Sequence, residues 1–308
     1  MYMLMDITGI VIVDKPAGWT SHDVVAKLRG ALKARRVGHG GTLDPMATGV
    51  LPVFVGRATR AAEFCENSEK EYVAGLRFGL VTDTQDITGT VLSDCSECNG
   101  CNGCSECETS ISADKLKSVI PRFLGSQEQV PPMYSAIKIG GKKLYELARR
   151  GIDVPRPARD IFISEIELLG GDGNDYSLRI VCSKGTYIRT LCHDIGSAVG
   201  CGAAMSSLRR TRAGAFAIGM AHTLSEVLDS ISSGDIGDIV LPVDSIFSGY
   251  PAATLGDADT RRCKNGAPCR IEDLADGRYR FYGPDHEFLM LGEVVAGNIK
   301  ATKGFYAP

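Results

Sequence analysis

The chain has 308 residues, 44% of them hydrophobic and 23% charged, which is enough apolar material for a sizeable core and excludes wholesale disorder. Lys and Arg total 34 against 37 Asp and Glu, a formal charge of −3, and taken whole that balance argues against a polyanionic partner such as nucleic acid. Uncharged stretches such as 195–208 fall short of the roughly 18 residues a membrane helix needs, and the first residues carry no secretion signal, so a soluble, cytoplasmic protein with reduced thiols is expected.

Gly9 to Val13 is a short β-branched run that reads as a strand, and Asp14 to Thr20 supplies the turn chemistry that ends it. Ser21 is placed as the N-cap of a helix whose apolar face is Val24, Val25, Leu28 and Leu32. Next come three glycines within four residues in Gly38-His39-Gly40-Gly41-Thr42-Leu43-Asp44-Pro45. They allow positive φ or close backbone approach, and Pro45 biases Asp44 toward an extended conformation. Local chemistry alone fits either an acid held on a shaped loop or a tight turn capped by Asp44.

From Tyr72 to Leu80 the even positions Tyr72, Ala74, Leu76, Phe78 and Leu80 alternate with smaller or polar residues, the period of a half-buried strand. The stretch at about 94–111 is poor in hydrophobes and reads as an inserted loop. A helix follows from a Ser112 cap through Leu116, Val119 and Ile120, and Pro121 is expected to shorten it. The segment of about 128–159 is rich in Lys and Arg, with Tyr134, Tyr145 and glycine turns among them. Tyr176 to Cys182 alternates as a strand, Ile188 to Val199 has helical spacing, and new strand signals appear at Arg278 to Tyr282 and Phe288 to Val295. Interspersed strands and helices without strict βαβ alternation indicate an α+β fold on a mixed, mainly antiparallel sheet with flanking helices. A small β-rich domain is expected at 249–308, after a body at 1–248.

Five of the eleven cysteines, Cys95, Cys98, Cys101, Cys104 and Cys107, recur every third residue. Such spacing offers thiolate pairs to zinc or an iron-sulfur centre. No His accompanies them and the period matches no standard site, so the reading adopted is an acidic loop, with no metal and no cofactor.

The segment Gly38 to Pro52 resembles the catalytic motif of the TruB family of tRNA pseudouridine synthases. The resemblance extends to Asp14-Lys15-Pro16-Ala17-Gly18-Trp19-Thr20-Ser21, to Pro131-Pro132-Met133-Tyr134-Ser135-Ala136 through Gly141 to Glu146, to Cys182 through Thr190, and to Leu208-Arg209-Arg210. The family connection between the strand ending near Leu92 and the helix beginning near Ala113 is usually short, so the cysteine-rich loop is a departure. The resemblance implies that Asp44 is the nucleophile and that Arg189 forms an ion pair with it. It also implies that Tyr72 stacks on a flipped uracil, that Tyr187 and Leu208 line the pocket, and that His39 helps displace bases of the RNA loop. The 128–159 insertion would grip RNA, with Lys138, Lys142, Lys143, Arg149 and Arg150 as candidate contacts and Lys15 as a further one outside it, and 249–308 would be a PUA-like RNA-binding domain. The implied reaction isomerises uridine 55 in the T-arm loop of tRNA, by a monomer needing no cofactor and no obligate protein partner. Two rivals are a guide-RNA-dependent relative and a tRNA-binding or folding factor with incidental catalysis.

The charge objection dissolves once the charges are located. Residues 83–114 and 222–259 together hold fourteen acidic side chains and no Lys or Arg, which leaves a net +11 on the rest of the chain. That surplus suits a phosphate backbone.

Overall fold

Gly9–Lys15 is a strand in which every residue but Asp14 is buried, as a continuous β-branched run demands of a strand covered on both faces. It runs antiparallel to Thr48–Val55, with Gly9 opposite Val55 and Lys15 opposite Gly49, and parallel to His222–Thr223. Successive side chains point to opposite faces. Ile10 and Ile12 join Val50 and Phe54 in one apolar cluster, while Val11 and Val13 join Leu51 and Val53 in another, closed by Val24, Val25, Leu28 and Leu32.

The computed structural model describes residues 7–94, 111–271 and 273–306 and divides into two units, Met1–Pro45 with Gly49–Glu66 and Ala213–Pro308, and Met46–Thr48 with Asn67–Arg212.

In the first unit the helix Ser21–Leu32 is capped by Thr20, one residue before the expected Ser21. Asp23 decides the matter, because it falls at the third helical position counted from Thr20. Thr20 Oγ1 accepts from Asp23 N at 3.1 Å, and Asp23 Oδ2 accepts from Thr20 N at 2.9 Å and from Thr20 Oγ1 at 2.6 Å, a reciprocal capping box. The hydrogen bond from the Thr20 side chain is the largest of the influences that hold the Asp23 carboxyl below its ordinary pKa. Ser21 is thereby released for another task.

Also in the first unit, residues beyond Tyr250 form a five-stranded sheet in the order Ala252–Thr254, Gly277–Tyr282, Phe288–Val295, Asn298–Gly304 and Cys269–Arg270. Its own core holds Leu255, Cys263, Phe281, Leu289, Met290 and Val294. Phe288 and Phe305 stack at 5.3 Å, and both lie within 6.0 Å of Phe247, so this C-terminal β domain is joined to the rest of its unit by aromatic packing.

The second unit carries strands in the order Ala203–Ala213, Lys70–Phe78, Asp175–Cys182, Arg159–Asp172 and Gly125–Gln129. The expected alternation holds over Tyr72, Ala74, Leu76 and Phe78, all buried, but the strand stops at Phe78, and Leu80, expected as its last inward residue, is half-buried at the start of a separate strand Leu80–Thr82. Ser112 caps Ala113–Val119 by accepting from Lys115 N at 3.2 Å, and at Pro121 the α-helix gives way to a tighter turn over Ile120–Phe123. The helix Ile188–Val199 buries the expected Ile188, Leu191, Cys192, Ile195 and Val199 and ends at Gly200 with φ +99°.

Candidate active site

The loop that presents Asp44 is held from three directions within the first unit. Val37–His39 pairs with the Thr48–Val55 strand, and Gly40 N donates to Pro52 O at 2.9 Å. A Cβ on Gly40 would fall 2.7 Å from Cys65 Cβ and 2.9 Å from the Phe54 ring, so only glycine fits this crossing. Ser21 Oγ, freed from capping, accepts from Leu43 N at 2.9 Å and donates to Leu43 O at 3.3 Å. On the other side of the acid, Pro45 O accepts from Gly18 N at 2.8 Å and from Lys15 Nζ at 3.3 Å. The backbone on both flanks of Asp44 is therefore fixed, while Asp44 itself stays partly exposed.

Lys15 departs from expectation. Instead of facing RNA it is fully buried, with 0% exposure, and its ammonium also donates to Pro16 O at 2.8 Å and Trp19 O at 2.6 Å. Three backbone carbonyls converge on an ammonium that was expected to reach RNA, so its donors serve the loop instead. Replacing Lys15 with Met keeps the stem and removes the donors. We expect Lys15→Met to lower stability by about 1.5–3 kcal/mol, measured by urea unfolding, and to slow turnover because the Asp44 loop loses an anchor. His39, in the same unit, meets His22 edge to face with ring centroids 5.3 Å apart.

In the second unit Tyr72 is buried opposite Ile180, and Leu208 is buried on the neighbouring strand Ala203–Ala213. Tyr187 occupies the N-cap position of the Ile188–Val199 helix, and Arg189 lies in its first turn at 4% exposure. The Arg189 guanidinium donates to Thr84 O and Tyr134 O, each at 2.9 Å, and its Nε stands 3.8 Å from Asp86 Oδ2. Asp86 Oδ1 accepts from Thr84 Oγ1 at 2.9 Å, Thr88 N at 2.9 Å and Thr88 Oγ1 at 2.6 Å. This buried carboxylate was not singled out in the sequence. The run of Thr, Asp and Gly over 82–90 announces local hydrogen bonding, yet nothing in it says that Asp86 rather than Asp83 turns inward.

The basic insertion follows its composition. Lys138–Ile139 and Lys142–Lys143 pair as a hairpin around Gly140 and Gly141, whose φ values of +57° and +81° are those of a two-residue turn. Tyr145 lies beneath two cations, Lys143 Nζ at 5.3 Å and Arg149 at 5.4 Å from the ring centroid. Lys138, Lys142, Arg149 and Arg150 are exposed.

The scattered cysteines Cys65, Cys182, Cys192, Cys201, Cys263 and Cys269 are free thiols. Burial pushes Cys182 up to about 11 and Cys192 up to about 12, so both stay protonated at neutral pH and chemically quiet. Cys95, Cys98, Cys101, Cys104 and Cys107 lie outside the described residues. Among the described residues no helix is long and apolar enough to cross a membrane.

Two family models match the chain in succession, TruB family pseudouridylate synthase (N terminal domain) over residues 29–188 and tRNA pseudouridylate synthase B C-terminal domain over residues 189–248. The chain belongs to the TruB family. It is 42% identical to a tRNA pseudouridine synthase B of Syntrophomonas wolfei, over 92% of this chain and 93% of that one. Identity to the corresponding protein of Chromobacterium violaceum is 40%, over 93% and 90%. Among solved structures, a chain of a Cbf5-Nop10-Gar1 complex superposes with a TM-score of 0.71 at 27% identity, covering 97% of this chain and 85% of that one.

As a TruB-family pseudouridine synthase the protein is an isomerase. His39, Asp44, Tyr72 and Tyr187 fall within the first matched region and Arg189 and Leu208 within the second.

Proposed function

We propose that this TruB-family enzyme converts uridine 55 in the T-arm loop of tRNA to pseudouridine, acting alone as a cytoplasmic monomer without a cofactor or a guide RNA. The observation that carries the reading is the double anchoring of the Asp44 loop, through Leu43 on one side and Pro45 on the other, which holds one carboxylate in place without burying it. The reaction breaks the N1–C1′ bond and forms C5–C1′. N1 gains a proton and C5 loses one, so no electrons are exchanged and no second substrate is consumed. It needs a carboxylate at the sugar or the pyrimidine, and Asp44 takes that nucleophilic role. Arg189 is its ion-pair partner in this reading.

A stacked base is out of reach of such an acid, so the uridine is flipped out of the loop. Tyr72 stacks on it, Tyr187 and Leu208 complete the pocket, and His39 keeps the displaced bases apart. The insertion grips the RNA backbone through Lys138, Lys142, Lys143, Arg149 and Arg150, with Tyr145 as a stacking surface. Residues 249–308 serve as a PUA-like RNA-binding domain.

The rival reading is a guide-RNA-dependent relative, and one assay separates the two. Purified protein is incubated with an unmodified tRNA transcript and no other RNA or protein, and pseudouridine is mapped by nucleotide. We expect product at position 55, with transcript affinity falling steeply as salt is raised. Absence of product without a guide defeats the stand-alone reading, and product at another position defeats the site assignment.

A further inference from the structure

Gln129 is 5% exposed and spends its side-chain amide on a single backbone residue. Its Oε1 accepts from Tyr187 N at 2.8 Å, and its Nε2 donates to Tyr187 O at 3.1 Å. Tyr187 is extended at φ −94° and ψ 108°, so the amide acts as a rung of sheet for one residue at the start of a helix. The Tyr187 carbonyl also accepts the first intrahelical bond, from Leu191 N at 3.0 Å, which places Gln129 at the origin of the helix that bears Arg189.

The main chain of Gln129 has a separate position of consequence. Gln129 ends the strand Gly125–Gln129 and pairs with Arg159, the first residue of Arg159–Asp172, so these two residues form the neck from which the basic insertion projects. Five residues further on, Tyr134 O accepts from the Arg189 guanidinium at 2.9 Å. The base of the insertion is thus bonded to Tyr187 by a side chain and to Arg189 by a carbonyl.

We propose that Gln129 is a positioning residue through which the neck of the RNA-gripping insertion sets Tyr187 and, two residues on, Arg189. The inference rests on the roles proposed above for those two residues. A hydrophobic side chain of the same size would fill the space and leave both Tyr187 backbone groups unpartnered by residue 129. A carboxylate would keep the acceptor and oppose the Tyr187 carbonyl with negative charge. A protonated carboxyl, however, presents one acceptor and one donor in nearly the geometry of the amide.

Protonation of a glutamate at this position therefore provides the test. Wild type, Gln129→Ala and Gln129→Glu are compared for single-turnover pseudouridine formation at saturating tRNA transcript, for transcript Kd, and for thermal midpoint, from about pH 5 to pH 8, the range in which a buried glutamate with a raised pKa titrates. We expect Gln129→Ala to lose about a hundredfold in single-turnover rate, the scale of a small misplacement of pocket groups, with Kd changed less than about threefold. The rate of Gln129→Glu relative to wild type should climb as pH falls, whereas the Gln129→Ala ratio stays flat. Should Gln129→Ala unfold at the assay temperature, the pH-dependent rescue of Gln129→Glu answers the same question. The inference is overturned if Gln129→Ala turns over within twofold of wild type, if its transcript affinity falls in step with its rate, or if the Gln129→Glu ratio does not rise at low pH. An inactive wild type counts against the proposed function instead.

Discussion

Asp44→Asn is expected to lower pseudouridine formation by roughly four orders of magnitude or more, the scale seen when a sole nucleophile is removed, while leaving the protein folded and able to bind tRNA. The substitution preserves shape and replaces only the charged oxygen. The bonds from Ser21, Gly18 and Lys15 reach the backbone of Leu43 and Pro45, so the loop keeps its anchors when the carboxylate is gone. Three measurements read the outcome: single-turnover pseudouridine mapping, transcript affinity by filter binding, and a thermal melt. Wild-type product from a folded Asp44→Asn protein removes Asp44 as nucleophile, and a collapse of affinity alongside the rate reassigns it to binding.

Arg189→Met should combine a loss of activity with a loss of stability of about 3–5 kcal/mol, the cost of leaving a buried charge without its partner. In wild type the guanidinium satisfies Thr84 O, Tyr134 O and the nearby Asp86; methionine fills much of the same volume and satisfies none of them. Arg189→Lys is expected to stay inactive as well, because an ammonium cannot span two carbonyls and a carboxylate as a planar fork does. Adding Asp86→Asn to Arg189→Met removes the orphaned charge, so the double variant should regain part of the lost stability in urea unfolding. Its activity should stay absent, since the proposed pairing of Arg189 with Asp44 is not restored. Recovery of turnover together with stability would mean that Arg189 matters only for folding.

The elements whose register depends on neighbours in sequence were legible from residue types alone. Tyr72 to Phe78 alternates and is a strand, Ile188 to Val199 has helical spacing and ends on a left-handed glycine, and Pro121 stops its helix where its ring geometry dictates. Positions decided by residues far away in sequence were not legible. Lys15 reads as an RNA contact because lysines generally stay at the surface, and its burial depends on Pro45 arriving thirty residues later. Ser21 is a good cap in isolation, yet Asp23 supplies a capping box to Thr20, and the freed hydroxyl goes to Leu43. Gln129 carries no local signal, since its two bonds go to Tyr187, 58 residues distant. Asp44 was singled out through a family resemblance, while the residues that hold its loop became visible only in three dimensions.

Lys15 is the last residue of a strand whose pairing runs unbroken from Gly9 opposite Val55 to Lys15 opposite Gly49. Because side chains alternate with period two, a slip of one position would swing the Lys15 ammonium to the opposite apolar face and withdraw it from the Pro45 carbonyl. The loop that presents Asp44 can then take this shape only on a sheet that has already formed in register. Under the role proposed above for Asp44, the alignment of these two strands ties chemical competence to correct folding.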